Sequence, residues 1–318
     1  MTRLSFPPLP LWAGRDEGLE PERFHQFVKA VELAAVRSQP ERQIAFIGFR
    51  CDEGVKRNKG RLGAAQGPEY LRRALANLVW DKSYRSQFID IGDIFCTDGE
   101  LEAAQKELGS VVSTLLAQKC LPIVLGGGHE TAWGHFQGLA THHQNILIIN
   151  FDAHYDLRPL IDGKFGSSGT PFTQIAEYCQ AAARPFSYTC IGIQASANTK
   201  SLKLRAKNYG VQTVLAETIH TEGTETTHQF LQKLMAAHSA VYLSICLDLF
   251  SQAYAPGVSA PQGLGLLPWQ VLPLLRSIAA SGKVIGVDMV ELCPALDRDS
   301  QTARLGAALL HGIFCELA

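Results

Sequence analysis

Apolar positions along this chain fall into two kinds of run that alternate from near residue 44 to the end. Short stretches rich in β-branched and aromatic residues predict strands at 44–49, 88–91, 122–125, 146–151, 189–193, 212–214, 241–247 and 284–287. Several are apolar at consecutive positions, the pattern of strands buried on both faces in a parallel sheet covered by helices. Longer stretches with apolar residues at helical spacing predict helices over 68–78, 101–118, 228–237, 268–280 and 302–315. Pro68 suits a first helical turn, where its missing N–H costs nothing. Strand and helix in alternation imply right-handed crossovers and one three-layer α/β/α sandwich with a mostly parallel sheet. No Pro/Gly/Ser-rich linker or internal repeat breaks the rhythm, so a single domain over residues 1–318 is expected, with an irregular N-terminal extension over about 1–40. In such sheets ligand sites form beyond the carboxyl ends of the strands.

Composition narrows the function classes. Of 318 residues, 46% are hydrophobic and 19% charged, which allows a large core and argues against disorder. A formal net charge of −1 provides no overall basic field for nucleic acid or an anionic membrane surface, so a small-molecule substrate is the expected partner. The longest apolar runs, such as 121–125 and 146–149, are too short to span a bilayer. Residues 1–15 hold Pro7, Pro8 and Pro10 but no cationic stretch followed by an apolar run, so no signal peptide is read and a cytoplasmic location is expected. The 8 cysteines are scattered without a Cys-x-x-Cys pair, which favours reduced thiols over a disulfide framework.

Four motifs carry chemistry. Pro122-Ile-Val-Leu-Gly-Gly-Gly-His129-Glu130 is an apolar strand that breaks into glycines and delivers a histidine. No Gly-Lys-Ser/Thr follows, as a phosphate loop would need, and His135 is too distant for a His-Glu-x-x-His zinc motif. Alone, the motif fits equally well a strand-to-helix turn with an incidental histidine. Ile148-Ile-Asn-Phe-Asp152-Ala-His154-Tyr-Asp156 is more telling. Three potential ligands at alternate positions would share one face of an extended chain and converge at the strand's end. Two carboxylates beside an imidazole are costly to dehydrate unless a cation balances them. Val241-Tyr-Leu-Ser-Ile-Cys246-Leu-Asp248 ends a third apolar strand, with Cys246 and Asp248 again at alternate positions. Val287-Asp-Met-Val-Glu291 puts Glu291 just beyond a fourth strand, where a helix-start carboxylate is the plain alternative.

The Gly-Gly-Gly-His129, Asp152-Ala-His154-x-Asp156, Ser244-x-Cys-x-Asp248 and Asp288-x-x-Glu291 segments resemble the ureohydrolase (arginase/agmatinase) family in order and spacing, from about Ile44 to the C-terminus. The resemblance implies an arginase-like fold and a pair of manganese ions that activate water against a guanidine or amidine carbon. It also implies that His129, Asp152, His154, Asp156, Cys246 and Asp248 are metal ligands, that Asp156 and Glu291 are catalytic, and that the protein is a homo-oligomer.

Within the family, the loop Asp52-Glu-Gly-Val-Lys-Arg57-Asn58-Lys-Gly60-Arg61 and the segment Ser167-Ser168-Gly169-Thr170-Pro171-Phe172 are similar to the formimidoylglutamase members. By that resemblance Arg57, Asn58, Arg61, Ser168, Gly169 and Glu291 bind substrate, arginine being suited to carboxylates. The implied reaction is hydrolysis of N-formimidoyl-L-glutamate to L-glutamate and formamide, a step of histidine degradation. Phe172 stands where arginases carry a proton-shuttling histidine, and the segment 255–261 fits the family's loop after the metal-binding strand. Cys246 departs from the family's usual Asp, and sulfur suits manganese less well than oxygen. That departure keeps two alternatives in view: another ureohydrolase, such as an agmatinase or guanidino-acid hydrolase, and a catalytically silent binding protein.

Overall fold

The computed structural model describes residues 3–6, 11–16, 18, 20–81 and 86–317. Pro7, Pro8 and Pro10 therefore lie outside the described residues. One ten-stranded sheet runs through the chain, in the spatial order β1-β4-β3-β5-β10-β9-β6-β7-β8, with β2 also pairing β4. The strands are β1 (Leu4–Ser5), β2 (Val28–Ala30), β3 (Gln43–Arg50), β4 (Gln87–Phe95), β5 (Cys120–Leu125), β6 (Ile146–Phe151), β7 (Ser187–Ile193), β8 (Gln212–Leu215), β9 (Ala240–Cys246) and β10 (Val284–Val290). Every pairing is parallel except β1 with β4.

Alternation along the strands creates the layers. On β3, Ile44 and Phe46 enter one core while Ala45, Ile47 and Phe49 enter the other, and β6 divides Leu147, Ile149 and Phe151 from Ile146 and Ile148 in the same way. The first core is closed by α2 (Gly67–Ala76), α7 (Ala216–Glu222), α8 (Glu225–Ala236), α9 (Pro268–Ala280) and α10 (Gln301–Leu317). The second is closed by α3 (Leu101–Ala117), α4 (Thr131–Leu139), α5 (Pro171–Ala181) and α6 (Lys200–Asn208). The expected three-layer sandwich is the observed one.

The N-terminal segment differs from the irregular extension expected. It supplies β1 and β2 to the sheet and buries Phe24 against Trp80 and Phe88, at ring-centroid distances of 5.5 and 4.7 Å. Such aromatic pairs add roughly 0.5–1.5 kcal/mol each beyond the area they bury, enough to dock a segment with little secondary structure of its own.

The architecture explains how distant motifs meet. β5, β10, β9 and β6 are successive neighbours in the middle of the sheet, and all four run the same way. Their carboxyl ends bring Gly126–His129, Glu291, Cys246–Asp248 and Asp152–Asp156 to one edge.

Candidate metal centre

Backbone turns aim each side chain. After β5, Gly127 passes so close to Cys51 that a Cβ there would lie 1.7 Å from the Cys51 carbonyl oxygen, so only glycine fits. Gly126 N–H donates to the Met289 carbonyl and the Gly127 carbonyl accepts from Glu291 N–H, both at 2.8 Å. These bonds fasten the turn to the end of β10. Glu291 Oε1 in turn accepts the His129 N–H at 2.8 Å.

The Asp152–Asp156 segment departs from the extended conformation that its alternate spacing suggested. β6 ends at Phe151. Asp152 Oδ1 accepts the His154 N–H at 2.7 Å, a local turn, and Asp156 takes a left-handed φ of 47°. Likewise Asp248 stands in a 3-10 turn, Leu247–Leu249, rather than on the strand with Cys246. Convergence is achieved by side-chain hydrogen bonding and turn geometry in place of a shared strand face.

The carboxylates and imidazoles interlock. His129 Nδ1 is 2.9 Å from Asp152 Oδ2 and 2.9 Å from Asp156 Oδ2, while His154 Nδ1 is 3.2 Å from Asp248 Oδ2 and 3.4 Å from Asp152 Oδ1. Ligand atoms of His129, Asp152 and Cys246 lie within 4.8 Å of one another, as do those of Asp152, His154 and Asp248. Asp152 belongs to both groups. His129, Asp152, Cys246 and Asp248 are buried, and Asp248 Oδ1 has no hydrogen-bond partner there.

Electrostatics describe a site that wants a cation. Burial pulls the His129 imidazolium down, but Asp152 and Asp156 outweigh it and hold the pKa well above the usual range. Burial raises Asp248, opposed by His154, and raises Asp156, with Asp152 pushing the same way. Burial likewise pushes the Cys246 thiol and the Glu291 carboxyl well up, each reinforced by neighbouring carboxylates. An orphaned buried carboxylate oxygen, a shared carboxylate and mutual repulsion among the acids fit a divalent metal centre.

Above it lies a cavity of ≈ 210 Å³ that touches His154, Asp156, Asp248 and Glu291 on one side and Asn58, Ser168 and Arg158 on others. Asn58 Nδ2 donates to Ser168 Oγ at 3.1 Å. Gly169 leaves room for Arg158, whose Cδ would stand 2.6 Å from an added Cβ. Phe172 is buried, stacked on Tyr188 at 4.2 Å and edge-on to His129 at 5.3 Å, so it buttresses that imidazole.

Two expected substrate cations are used elsewhere. Arg57, the last residue of α1 (Glu53–Arg57), pairs with Glu102 at 2.6 Å and Glu53 at 3.3 Å and donates to the Gly99 and Gly166 carbonyls. Arg61 donates to the Ser259 carbonyl at 2.9 Å and the Val258 carbonyl at 2.7 Å. Neither lines the cavity; both staple the loops that do. The cation that the sequence reading passed over is Arg158, the one Lys or Arg among the lining residues. Its signal was its place two residues beyond Asp156, on the same turn as the ligands.

The family model of the arginase family matches residues 42–315. The chain belongs to the arginase family. It is 41% identical over 300 residues to a formimidoylglutamase of Legionella pneumophila, covering 94% of this chain and 93% of that one. To a formimidoylglutamase of Chromobacterium violaceum it is 43% identical over 303 residues, 95% and 96% of the two chains. Among solved structures, a Bacillus subtilis formimidoylglutamase superposes with a TM-score of 0.79 at 21% identity, covering 95% of this chain and 96% of that one. A Trypanosoma cruzi formiminoglutamase with manganese gives 0.77 at 24%, covering 89% and 97%. The arginase fold of the sandwich is thereby established.

Proposed function

We propose that the protein hydrolyses N-formimidoyl-L-glutamate to L-glutamate and formamide, a step of histidine degradation. The observation that carries this reading is Arg158: a cation without a carboxylate partner among the described residues, in the cavity that also exposes Asp156, Asp248 and Glu291. A substrate with an amidine at one end and carboxylates at the other matches that polarity. Its close resemblance to curated formimidoylglutamases over nearly the whole chain supports the same assignment.

His129, Asp152, Asp156 and Cys246 would hold one divalent ion and Asp152, His154 and Asp248 a second, manganese being the family's metal. When bound, such a pair lowers the pKa of a water and orients it for attack. Arg158 binds the distal carboxylates through charge-assisted hydrogen bonds, with Asn58 and Ser168 beside it, and so converts binding energy into position. Gly169 clears the space for that guanidinium. Asp156 accepts a hydrogen bond from the attacking water. Glu291, held by the His129 N–H, pairs with the cationic formimidoyl group as charge develops at its carbon. The C–N bond to the glutamate nitrogen then breaks, that nitrogen takes up a proton, and formamide departs.

The assembly is proposed as one catalytic domain per chain, associated into a cytoplasmic homo-oligomer. The apolar Leu264 and Trp269, each 80% exposed, are surface that such association would cover. Among the described residues no helix is long and apolar enough to cross a membrane.

The test is formamide release and kcat/KM with defined manganese loading for formimidoylglutamate, arginine and agmatine side by side. Formimidoylglutamate is expected to be preferred by a wide margin. Preference for agmatine or arginine, or metal binding without turnover of any of them, would overturn the assignment.

A further inference from the structure

Cys51 and Cys96 follow the last paired residues of two neighbouring parallel strands. Arg50 of β3 is in register with Phe95 of β4, and the Cys96 N–H donates to the Arg50 carbonyl at 3.2 Å, so the two cysteines stand side by side as the ladder ends. Residues so paired share a face of the sheet, and both side chains pack in the same core. Both thiols are free. Neighbouring strands lie about 4.7–4.9 Å apart, inside the range of roughly 4.4–6.8 Å that separates the Cα atoms of disulfides.

The two thiols are unequal. Cys51 is 1% exposed, while Cys96 is partly open to solvent. Cys51 beside it draws the Cys96 thiol below its usual range against the opposing effect of burial, and Arg3 nearby acts in the same direction as Cys51. This is the division of labour between an accessible attacking thiol and a resolving one beside it.

Cys51 also supports the turn that carries the metal ligand. Its carbonyl accepts the Gly128 N–H at 3.0 Å, and Gly127 passes within contact of the same group. Gly127 in turn holds Glu291, and Glu291 holds His129. A covalent tether on Cys51 therefore acts on backbone that positions two residues of the centre.

We propose that Cys51 and Cys96 form a reversible disulfide when exposed to hydrogen peroxide, and that the linked form turns over substrate more slowly. The Cys96 thiolate attacks one peroxide oxygen; the O–O bond breaks, and with one proton taken up the products are Cys96 sulfenic acid and water. Cys51 sulfur then attacks Cys96 sulfur, the S–O bond breaks, and the hydroxide leaves as a second water with the Cys51 proton. Two thiols are oxidised to one disulfide as one peroxide is reduced to two waters. A dithiol reverses the bond by exchange.

The experiment treats manganese-loaded protein with hydrogen peroxide, blocks remaining thiols with N-ethylmaleimide and identifies linked peptides by mass spectrometry. Formamide release is followed in parallel, before and after dithiothreitol. The expected result is a Cys51–Cys96 peptide pair, a several-fold loss of turnover, and recovery of both thiols and turnover on reduction. Cys96→Ser and, separately, Cys96→Ala should keep basal turnover, form no link and resist the loss. Because the link is read without substrate, its absence overturns this proposal independently of the substrate assignment. A link that leaves turnover unchanged overturns it too. So does an equal peroxide-driven loss in the Cys96 variants, which would place the damage at another residue.

Discussion

Ser244 Oγ stands 3.0 Å from His129 Nε2 and donates its own hydrogen to Asp288 Oδ1 at 2.6 Å. With its hydrogen committed to a carboxylate, the serine oxygen accepts from His129 Nε2–H, which turns Nδ1 toward Asp152 and Asp156, where a metal would take the place of its proton. Asp288 is in turn held by Tyr242 and by His135 Nδ1 at 3.2 Å, all of it buried. Ser244→Ala should therefore weaken manganese binding by roughly 10–100-fold, the usual effect of removing a group that orients a metal-binding histidine. Calorimetric titration of both proteins checks this. Unchanged affinity would mean that Ser244 and Asp288 only fill the core.

His154→Ala should abolish most turnover together with metal binding, because His154 stands between Asp152 and Asp248 in one of the two ligand groups. Without the imidazole those carboxylates lose the group that balances them in the metal-free state. Metal analysis of the purified variant is the decisive measurement. Full metal content with near-normal turnover would show that the residue is not a ligand.

Arg158→Ala should lower kcat/KM for formimidoylglutamate by roughly 10- to 150-fold, taking about 1.5–3 kcal/mol for a hydrogen bond to a charged group. Arg158→Lys should recover only part, since a point charge cannot reproduce a two-pronged guanidinium contact. A formimidoyl-alkylamine without carboxylates should be hydrolysed equally by all three proteins. A comparable drop on that truncated substrate would show that Arg158 serves the metal centre instead.

Arg57→Ala should behave in the opposite way. Its partners are Glu53, Glu102 and two loop carbonyls, partly exposed contacts worth about 0.2–1 kcal/mol per ion pair. The expected change is a fall in Tm of roughly 2–4 °C with kcat/KM nearly intact. A large rise in KM without a change in melting would return Arg57 to the substrate.

The contrast between these arginines shows what sequence could and could not reveal. Strands such as β5, β6 and β9 are apolar along their length and were legible, as was α9, whose polar face leaves a clear helical period. α4 was missed because its residues are nearly all buried, which erases the period. α6 was missed because it is mostly polar, with Leu202 and Ala206 its buried residues. At the centre, residue types and order picked out side chains that the fold brings together, but the alternate spacing suggested an extended chain. The actual turns at Asp152–Asp156 and Leu247–Leu249 are local, the first closed by the Asp152 side chain on the His154 N–H two residues on, a turn signal that competes with the alternate spacing. For Arg57 and Arg61 the chemistry fitted the substrate, but their fate was decided by Glu102 and the Ser259 carbonyl, distant in sequence.

Cys246 sets the last expectation. The sulfur falls in the group with His129 and Asp152, whereas the group of Asp152, His154 and Asp248 offers only oxygen and nitrogen. Manganese favours oxygen donors over thiolate, and burial together with Asp152, Asp248 and Glu291 pushes the Cys246 thiol well above its usual range, which adds the cost of removing its proton. A carboxylate in its place would present two oxygens that one sulfur cannot reproduce. The two positions should therefore differ: the Asp152–His154–Asp248 side binds manganese tightly and the His129 side weakly, so purified protein carries less than full occupancy. Cys246→Asp should raise affinity on the His129 side, while turnover need not rise, because the new carboxylate adds negative charge beside Asp152, Asp248 and Glu291. Calorimetric manganese titration of both proteins, with anomalous scattering to locate each ion, separates the positions. Two equally tight ions in the unaltered protein would show that sulfur costs this centre nothing.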